Sequence, residues 1–418
     1  MEKGATITNQ KYRWVILGVS SAVMFVIMGM QWMSMPVLFF EISQETGIDL
    51  SKLQILWAII PFAGLFSCFP AGILADKYGA YPLIGISSLL CSIFGGLRGI
   101  SPDFTIMLIF TFLYGITSYI PVVVLPKLIG QWFGKNELGT AQGVTFAFYT
   151  AGAAVAMAIS ATVISPAIGG WKNTYLLYGG LSLVVTVFWY LLAGKKPAIS
   201  KEDDASIQTY SDFGGDFRGI IKTVIKDKDV WLLIAIYSIY MGGYIGFFGL
   251  FPGLLKEWGW SASAADLSLA VATIASIFGC ILIPMLSDKI GSRRWVYTIS
   301  LAIAGALAFI SFIVGRVPDS PLLWVMIIFL GLFGGAMPIV FTIPMELKKI
   351  GPALSGSVVG LMNTGSNIAG TIYTLLGAYL LGFGPLLPGV LFGIFGFLLS
   401  GLVMIFVTET GTKMYAKN

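Results

Sequence analysis

Two short polar segments contain the residue types that can form switchable ion pairs. In the first, Asp76 is followed directly by Lys77, and in the second, Asp288 is followed by Lys289 and Arg293. A carboxylate at a helix end can bind a nearby cation or the N–H groups at the start of another helix. Such a contact can hold one conformation and release in another, although the same residues could also simply cap tight turns. We select these five residues as candidate gating residues.

Amide and aromatic side chains inside the apolar segments are the candidates for binding a solute. Tyr237 and Tyr240 are three residues apart and Asn363 and Asn367 are four apart, so each pair shares one face of a helix. Buried amides in lipid must find hydrogen-bond partners, which a solute can supply. Interfacial anchoring and helix packing are the structural alternatives for these residue types. The predicted substrate-binding residues are Gln31, Trp32, Tyr114, Thr117, Tyr149, Tyr237, Tyr240, Asn363 and Asn367.

Several chemistries are excluded by what the chain lacks. It contains no His, and Cys68, Cys91 and Cys280 stand alone within apolar runs without metal-ligand or redox spacing. There is no Gly-x-x-x-x-Gly-Lys-(Ser/Thr) loop for ATP. The sequence therefore predicts no catalytic site, no metal and no cofactor, and it argues against an enzyme or an ATP-driven pump.

The elements that must position these residues are membrane-spanning helices. Only 11% of the 418 residues are charged and 57% are hydrophobic, whereas soluble domains carry about 25% charged residues. A span of the bilayer needs about 20 apolar residues. The segments of this length are 14–40, 52–74, 81–100, 104–126, 139–166, 174–193, 231–254, 264–286, 295–315, 321–344, 353–382 and 385–407. The prediction is an all-α membrane protein with twelve transmembrane helices.

The positions of Lys and Arg predict the orientation. If the N-terminus lies in the cytoplasm, five of the 25 Lys and Arg residues fall on the outer side of the membrane. They are Lys52, Arg98, Lys172, Lys256 and Arg316. Positive residues near helix ends are retained on the cytoplasmic side. We therefore expect a multi-pass protein of the plasma membrane with both termini in the cytoplasm. The first span is too long for the hydrophobic part of a signal peptide and is expected to be retained as a helix.

The two halves of the chain repeat each other. Asp76 lies 212 residues before Asp288, and Gly139 lies 217 residues before Gly356. A repeat at nearly one offset indicates two related bundles of six helices.

The domain boundaries follow from a polar segment at the midpoint of the chain. We predict an N-terminal six-helix bundle over residues 1–193, a cytoplasmic linker over 194–230 and a C-terminal six-helix bundle over 231–418.

The two polar segments resemble the signature Gly-x-x-x-Asp-(Arg/Lys)-x-Gly-x-(Arg/Lys) of the major facilitator superfamily. The matching residues are Gly72, Asp76, Lys77 and Gly79, and then Asp288, Lys289, Gly291 and Arg293. The first copy has Tyr81 in place of the last basic residue, and the second has Pro284 in place of the first Gly. The resemblance implies two pseudo-symmetric six-helix bundles that work by alternating access. It is specific for the fold and weak for the substrate.

The resemblance also implies which helices line the substrate cavity. In that superfamily the first, second, fourth and fifth helices of each half line the cavity, and the third and sixth pack outside. Gln31 beside Trp32 is similar to the substrate helix of small organic-acid carriers. Those carriers place an Arg or Lys inside the cavity, and this sequence departs from them because it has no Arg or Lys at mid-depth in a predicted span. Here Glu41, Arg98 and Glu346 lie near span ends, where side chains can reach the interface. For Arg98, in the third helix, we expect a structural or lipid-headgroup role.

The function predicted from these features is secondary transport of a small organic solute, first a monovalent organic acid or a neutral metabolite. The alternative is multidrug efflux, for which Met and aromatic residues offer an adaptable apolar surface. Thr111 stands where proton-coupled members carry Arg, which leaves uniport, exchange and ion coupling open. The expected partners are the small-molecule substrate, a coupling ion in the case of symport, and the lipid bilayer. No nucleic acid is expected, and the functional unit is predicted to be a monomer.

Overall fold

A computed structural model describes residues 2–48, 50–194, 224–384 and 386–411. Within these ranges the chain is helical and contains no β-strand. The predicted linker lies largely outside the described residues, since only its residues 194 and 224–230 are among them.

The first half of the chain forms six helices, two of them interrupted by π-helical segments. Their bounds are α1 (Glu2–Val23, a π segment Met24–Met30, and Gln31–Thr46), α2 (Leu50–Tyr78), α3 (Ala80–Leu97 with a 3₁₀ turn Arg98–Ile100), α4 (Phe104–Trp132), α5 (Lys135–Ile159, a π segment Ser160–Ile164, and Ser165–Ile168) and α6 (Trp171–Leu192).

The second half repeats this order. Its helices are α7 (Lys228–Glu257), α8 (Ala262–Ile290), α9 (Arg293–Val314), α10 (Pro321–Gly334 and Pro338–Glu346), α11 (Gly351–Leu381) and α12 (Leu387–Gly389, a π segment Val390–Leu398, and Leu399–Met404). The predicted order of twelve helices is therefore present in the described chain.

Eleven of these helices, among the described residues, are long and apolar enough to cross a membrane. The remaining one, α11, has 31 residues and is less apolar because it carries Asn363, Asn367 and several Gly, Ser and Thr residues. A helix with such polar residues needs protein neighbours in the bilayer that satisfy them. Its composition therefore favours a position inside a helix bundle.

Several helices extend further than the apolar runs predict. α4 continues to Trp132 rather than ending at 126, and α8 continues to Ile290 rather than ending at 286. Hydropathy marks where the lipid ends, but backbone hydrogen bonding can continue for another turn beyond that point. Asp76, Lys127 and Asp288 consequently lie on helices, close to their ends, and not in loops.

A glycine of the signature terminates each of the helices α2 and α8. It begins the turn that follows the acidic residue of that helix. Gly291 has φ +70° in the left-handed region and donates its N–H to the carbonyl of Ser287. Gly79 has φ +86° and donates its N–H to the carbonyl of Ala75. Only glycine adopts such angles at low cost. These residues stop the helices directly after the acidic and basic residues.

The chain divides into two compact units. The first contains Met1–Gly134, Phe148–Ile220 and Gly351–Gly360, and the second contains Lys135–Ala147, Ile221–Ile350 and Leu361–Asn418. The start of α5 thus belongs to the second unit and the start of α11 to the first. The predicted boundaries at 193 and 231 stay a prediction.

Inside the first unit, α3 and α6 approach each other at two glycines. A Cβ atom added to Gly179 would lie 2.7 Å from Cα of Gly96 and 2.9 Å from the carbonyl oxygen of Ser92. Small residues permit this separation of helix backbones in membrane proteins. A Cβ atom added to the next residue, Gly180, would instead meet open space.

We expect Gly179→Ala to lower the stability of the protein by about 1–3 kcal/mol, because the added methyl group must push two backbones apart. Gly180→Ala is the matched control and should be neutral or stabilising by up to about 1 kcal/mol, since Ala favours a helix over Gly. Thermal unfolding of the purified protein in detergent measures both. Equal unfolding midpoints for the two variants would contradict the close approach of α3 and α6.

Candidate functional site

In the first unit, Asp76 binds the start of α11. Its carboxylate accepts hydrogen bonds from the backbone N–H of Gly356 at 3.2 Å and of Ser357 at 2.9 Å, and from the Ser357 hydroxyl at 2.6 Å. The Nζ of Lys127 completes the cluster at 2.5 Å from Oδ1 of Asp76. All of these groups are buried, so the ion pair is shielded from solvent.

In the second unit, Asp288 binds the start of α5 in the same way. Its carboxylate accepts from the backbone N–H of Gly139 at 3.3 Å and of Thr140 at 2.7 Å, and from the Thr140 hydroxyl at 2.6 Å. Arg293 supplies the cation through its Nη1. Arg293 also binds Glu346, with 2.9 Å between Nη2 and Oε1. One guanidinium therefore joins two buried carboxylates.

The two clusters share the acid and the helix start but take the cation from different places. In the second unit it is Arg293, the last basic residue of the signature, whereas Tyr81 occupies that place in the first copy. There Lys127 of α4 supplies the charge instead. The departure of the first copy from the signature is thus compensated by a residue far away in sequence.

The remaining basic gating candidates lie outside these clusters. Lys77 and Lys289 are both exposed, and Lys77 contacts the ring of its neighbour Tyr78, with 5.2 Å from Nζ to the centroid. Neither forms an ion pair with a described residue. Of the five gating candidates, the structure brings only Asp288 and Arg293 into direct contact with each other.

A segment after α12 adds a further carboxylate to the second unit. Glu409 accepts from the Ser292 hydroxyl at 2.5 Å and from the backbone N–H of Arg293 at 2.8 Å, at the start of α9. The hydroxyl of Thr410 donates to Glu346 at 2.6 Å. Burial raises the pKa of Glu409, but the hydrogen bonds from Ser292 and from backbone N–H groups lower it more, so that its pKa lies below the ordinary value.

Gln31 and Tyr114, two of the predicted substrate-binding residues, meet around Arg98 in the first unit. Arg98 is 0% exposed, and its Nη2 donates to the backbone carbonyl of Gln31 at 3.2 Å. The ring of Tyr114 lies 4.3 Å from Cζ of Arg98, and its hydroxyl donates to the carbonyl of Ile27 at 2.8 Å. The expectation of a lipid-headgroup role for Arg98 is wrong, because aromatic rings and backbone carbonyls enclose it, whereas the structural role stays a prediction.

The side chain of Gln31 points toward α3 and α6. Its Nε2 packs against Gly95 so closely that a Cβ atom there would overlap it, and its Oε1 accepts from the hydroxyl of Ser182 at 3.3 Å. Thr117 also faces α3, where its Oγ1 lies 3.2 Å from Sγ of Cys91. These polar residues lie among helices that the family resemblance places outside the cavity.

Trp32 belongs to an aromatic group of α1, α2 and α4. Its ring lies 5.4 Å from Tyr119 and 6.1 Å from Trp57, measured between centroids. The Nε1 of Trp32 is enclosed and has no hydrogen-bond partner among the described residues. Tyr149 on α5 is half-buried. An enclosed indole N–H is available to a hydrogen-bond acceptor on a solute.

The candidates of the second unit lie on α7 and α11. The ring of Tyr237 lies 5.1 Å from that of Phe341, and the hydroxyl of Tyr240 donates to the carbonyl of Gly334 at 2.9 Å. Asn363 is buried and Asn367 is half-buried. α11 packs on α7 at Gly365, where a Cβ atom would lie 2.5 Å from Oγ of Ser238. The two helices that carry these candidates are therefore neighbours.

A cavity of about 360 Å³ in the first unit lies between α1 and the end of α5. Glu41 and Gln44 line one side, and Ser165 and Pro166 line the other. The carboxylate of Glu41 accepts from the Ser165 hydroxyl at 2.6 and 2.7 Å. None of the predicted substrate-binding residues lines this cavity.

Sequence reasoning missed the roles of Lys127, Glu346 and Glu409 in the charged clusters and the burial of Arg98. Lys127 stands at the end of an apolar run, where a Lys is expected from topology alone. Its partner Asp76 is 51 residues away, and periodicity carries no information at that distance. Glu346 lies 53 residues from Arg293, so the same limit applies.

A helical membrane chain with repeated halves and paired acidic clusters at helix starts has the architecture of a secondary transporter. The family model of the Major Facilitator Superfamily matches residues 21–374 and 243–417. The chain belongs to the major facilitator superfamily. Its members are membrane transporters and not enzymes, so the predicted class, the multi-pass membrane character and the family resemblance are confirmed.

Several named carriers are similar to the chain in sequence. It is 24% identical to a probable sulfoacetate transporter of Cupriavidus necator, over 89% of this chain and 88% of that protein. It is 23% identical to a hexuronate transporter of Bacillus subtilis, over 87% of this chain and 84% of that protein.

Solved structures confirm the fold. The fucose:proton symporter FucP of E. coli superposes with a TM-score of 0.76 at 14% identity, over 95% of this chain and 100% of that one. The proton:xylose symporter XylE superposes with the same score and identity, over 96% and 97% of the two chains. The predicted class of twelve helices in two six-helix bundles is thereby confirmed.

We expect Lys127→Met to destabilise the protein by about 3–5 kcal/mol, because it leaves the buried carboxylate of Asp76 without its cation. Lys77→Met is the control, since it removes the same charge from an exposed position next to that carboxylate. Asp76→Asn combined with Lys127→Met should recover part of the loss, because both charges are then gone. Thermal unfolding in detergent measures the three variants. A Lys127→Met midpoint equal to that of Lys77→Met would contradict the ion pair.

We expect Glu409→Gln to lower stability near neutral pH and to make no difference in acid. A carboxyl whose pKa is lower in the folded than in the unfolded protein adds stability above the unfolded pKa, about 4.3. This contribution disappears as the pH falls through the folded pKa. Unfolding midpoints of the variant and the parent protein, measured from neutral pH downward, should therefore converge once the pH has fallen through the lowered folded pKa of Glu409. Glu257→Gln, at an exposed position, is the control, and a gap that persists in acid would refute the carboxylate's role.

Proposed function

We propose that the protein transports a small organic acid as a monovalent anion. The observation that carries this proposal is a buried arginine that has no carboxylate in contact with it among the described residues. The buried charged side chains among the described residues include Asp76, Arg98, Lys127, Asp288, Arg293 and Glu346. Five of them form the two ion-pair clusters, whereas Arg98 has no carboxylate partner within the described chain. An uncompensated positive charge inside the protein favours an anionic ligand.

The names of similar carriers support an acidic cargo. They include transporters for sulfoacetate, for hexuronate and for galactarate or D-glucarate. A cyanate transport protein of Escherichia coli is a further relative, 23% identical over 85% of this chain. All of these compounds are acids or anions, which agrees with an acidic cargo. Hexuronate and cyanate carry one charge, whereas sulfoacetate, galactarate and D-glucarate carry two, so the names support the acidic group and not the number of charges.

The amide and aromatic candidates are proposed to bind the rest of the solute. Trp32 offers an enclosed N–H and an aromatic surface beside Tyr119. In the second unit, Asn363 and Asn367 lie on one face of α11, and α11 packs on α7, the helix that carries Tyr237 and Tyr240. Such groups provide directional hydrogen bonds and apolar contact without adding charge. They suit a molecule that carries a single charged group.

The two acidic clusters are proposed to gate the transport cycle. In each, a carboxylate from one half of the sequence binds the start of a helix from the other half, through backbone N–H groups and a hydroxyl. Such contacts are strong when formed, yet they can be replaced by water when the helix end moves away. Alternating access requires contacts of this reversible kind.

The proposal is tested by counterflow into proteoliposomes that contain the purified protein. The assay compares monocarboxylates and monosulfonates with neutral amides of the same shape and with cationic dyes. We expect exchange of at least one monovalent anion and none of the dyes. Transport of dyes alone would overturn the proposal in favour of multidrug efflux, and transport of neutral amides alone would overturn the assignment of an acidic cargo.

A further inference from the structure

Arg98 occupies an enclosed position in the first unit, at the end of α3. The rings of Tyr114 and Tyr175 lie 4.3 and 4.6 Å from its Cζ. Both tyrosines and Arg98 itself are 0% exposed. The aromatic rings stabilise the guanidinium through cation–π contacts but do not neutralise its charge.

The hydrogen bonds of Arg98 are incomplete. Its Nε donates to the carbonyl of Gly95 at 3.1 Å and its Nη2 to the carbonyl of Gln31 at 3.2 Å. Its Nη1 contacts only the sulfur of Met35, at 3.8 Å, and a thioether is a weak acceptor. A guanidinium has five N–H donors. The two terminal nitrogens therefore keep N–H bonds without an oxygen acceptor among the described residues.

Donors without acceptors also occur next to this guanidinium. Nε2 of Gln31 is buried without a partner in the described chain, and it lies against Gly95, whose carbonyl binds Arg98. The hydroxyl of Tyr175, whose ring covers the guanidinium, is also buried and has no partner there. Glu41, a carboxylate of the same unit, binds Ser165 and the backbone N–H of Trp171 instead. The surroundings of Arg98 are rich in donors and poor in acceptors, which is the chemistry that binds an oxyanion.

We infer that Arg98, with the amide of Gln31 and the hydroxyl of Tyr175, forms the binding site for the carboxylate or sulfonate group of the transported acid. This inference rests on the proposed function. The two oxygens of such a group match the terminal nitrogens of a guanidinium, which can bind both at once. Binding would replace the weak sulfur contact with charged hydrogen bonds and neutralise the buried cation.

Met35 contacts the guanidinium at Nη1, where Arg98 lacks an oxygen acceptor among the described residues. Met35 is 0% exposed. A methionine side chain is unbranched and rearranges easily, so it can leave the guanidinium when an anion arrives. Pro36 follows directly and cannot donate a backbone hydrogen bond to the preceding turn. The π segment Met24–Met30 precedes Gln31, and such segments are frequent at functional sites. α1 is therefore irregular on both sides of Gln31.

The test uses purified full-length protein in proteoliposomes and measures the KM for three probes of similar size, namely propionate, isethionate and the neutral propionamide. Arg98→Gln should raise the KM for the anions by about tenfold to a hundredfold, as expected for the loss of charged hydrogen bonds. The KM for any propionamide transport should stay unchanged. Arg98→Lys keeps the positive charge but loses the paired N–H donors of the guanidinium. Its KM for the anions should therefore lie between those of Arg98→Gln and the parent protein. Arg316→Gln, which removes an exposed positive charge, is the control.

A milder variant keeps the test decisive if Arg98→Gln does not fold. Tyr175→Phe removes a hydroxyl that has no partner in the described chain, so the unfolding midpoint should not fall. Its KM for the anions should nevertheless rise about threefold to tenfold.

The possible failures are distinguishable. If the parent protein exchanges none of the monovalent anions of the counterflow panel, propionate and isethionate included, the proposed function is overturned and this inference with it. If the parent protein exchanges an anion, only the anion site is at stake. It is overturned when Arg98→Gln and Tyr175→Phe both keep the parent protein's KM for that anion. Where Arg98→Gln does not fold, an unchanged KM of Tyr175→Phe alone overturns it.

Discussion

A carboxylate inside a membrane protein is stable only when cations and N–H groups surround it, and Asp76 and Asp288 each satisfy this condition at the start of a helix. The desolvation of an isolated charge costs more than any single contact returns. The end of the helix that carries each carboxylate must therefore stay next to the start of the helix that donates the N–H groups. The glycine turns after α2 and α8 and the basic residues nearby are all arranged around this requirement.

The two clusters show how one requirement is met with different residues. Arg293 has a planar group with several donors, and it joins Asp288 to Glu346. Lys127 is a single point charge that binds Asp76, and it cannot bridge two carboxylates in the same way. The second cluster is also linked through Ser292 and Thr410 to the segment that follows α12. The two related halves consequently differ in how many contacts hold the helix start at the carboxylate.

Arg98 represents the opposite case, since it is a buried charge whose counter-ion is not among the described residues. Two tyrosine rings and two carbonyls are enough to hold it in place. They leave part of its hydrogen-bonding capacity and all of its charge unmatched. In a stable fold such an imbalance is costly, and the acidic cargo proposed for the protein would supply the missing charge. The predicted substrate-binding residues Gln31 and Tyr114 gather around this arginine.

The amino-acid sequence by itself determined the membrane environment, the number and order of the helices, the repeat and the family. These properties depend on local apolar length and on short motifs, such as the one around Asp288, that are read without knowing distant contacts. Only the tertiary structure decided which charges meet. It paired Lys127 with Asp76, placed Glu346 against Arg293 and buried Arg98 between Tyr114 and Tyr175. The physical reason is that these contacts join side chains far apart in the chain, whose meeting depends on how helices pack and not on the hydropathy or periodicity of any one helix.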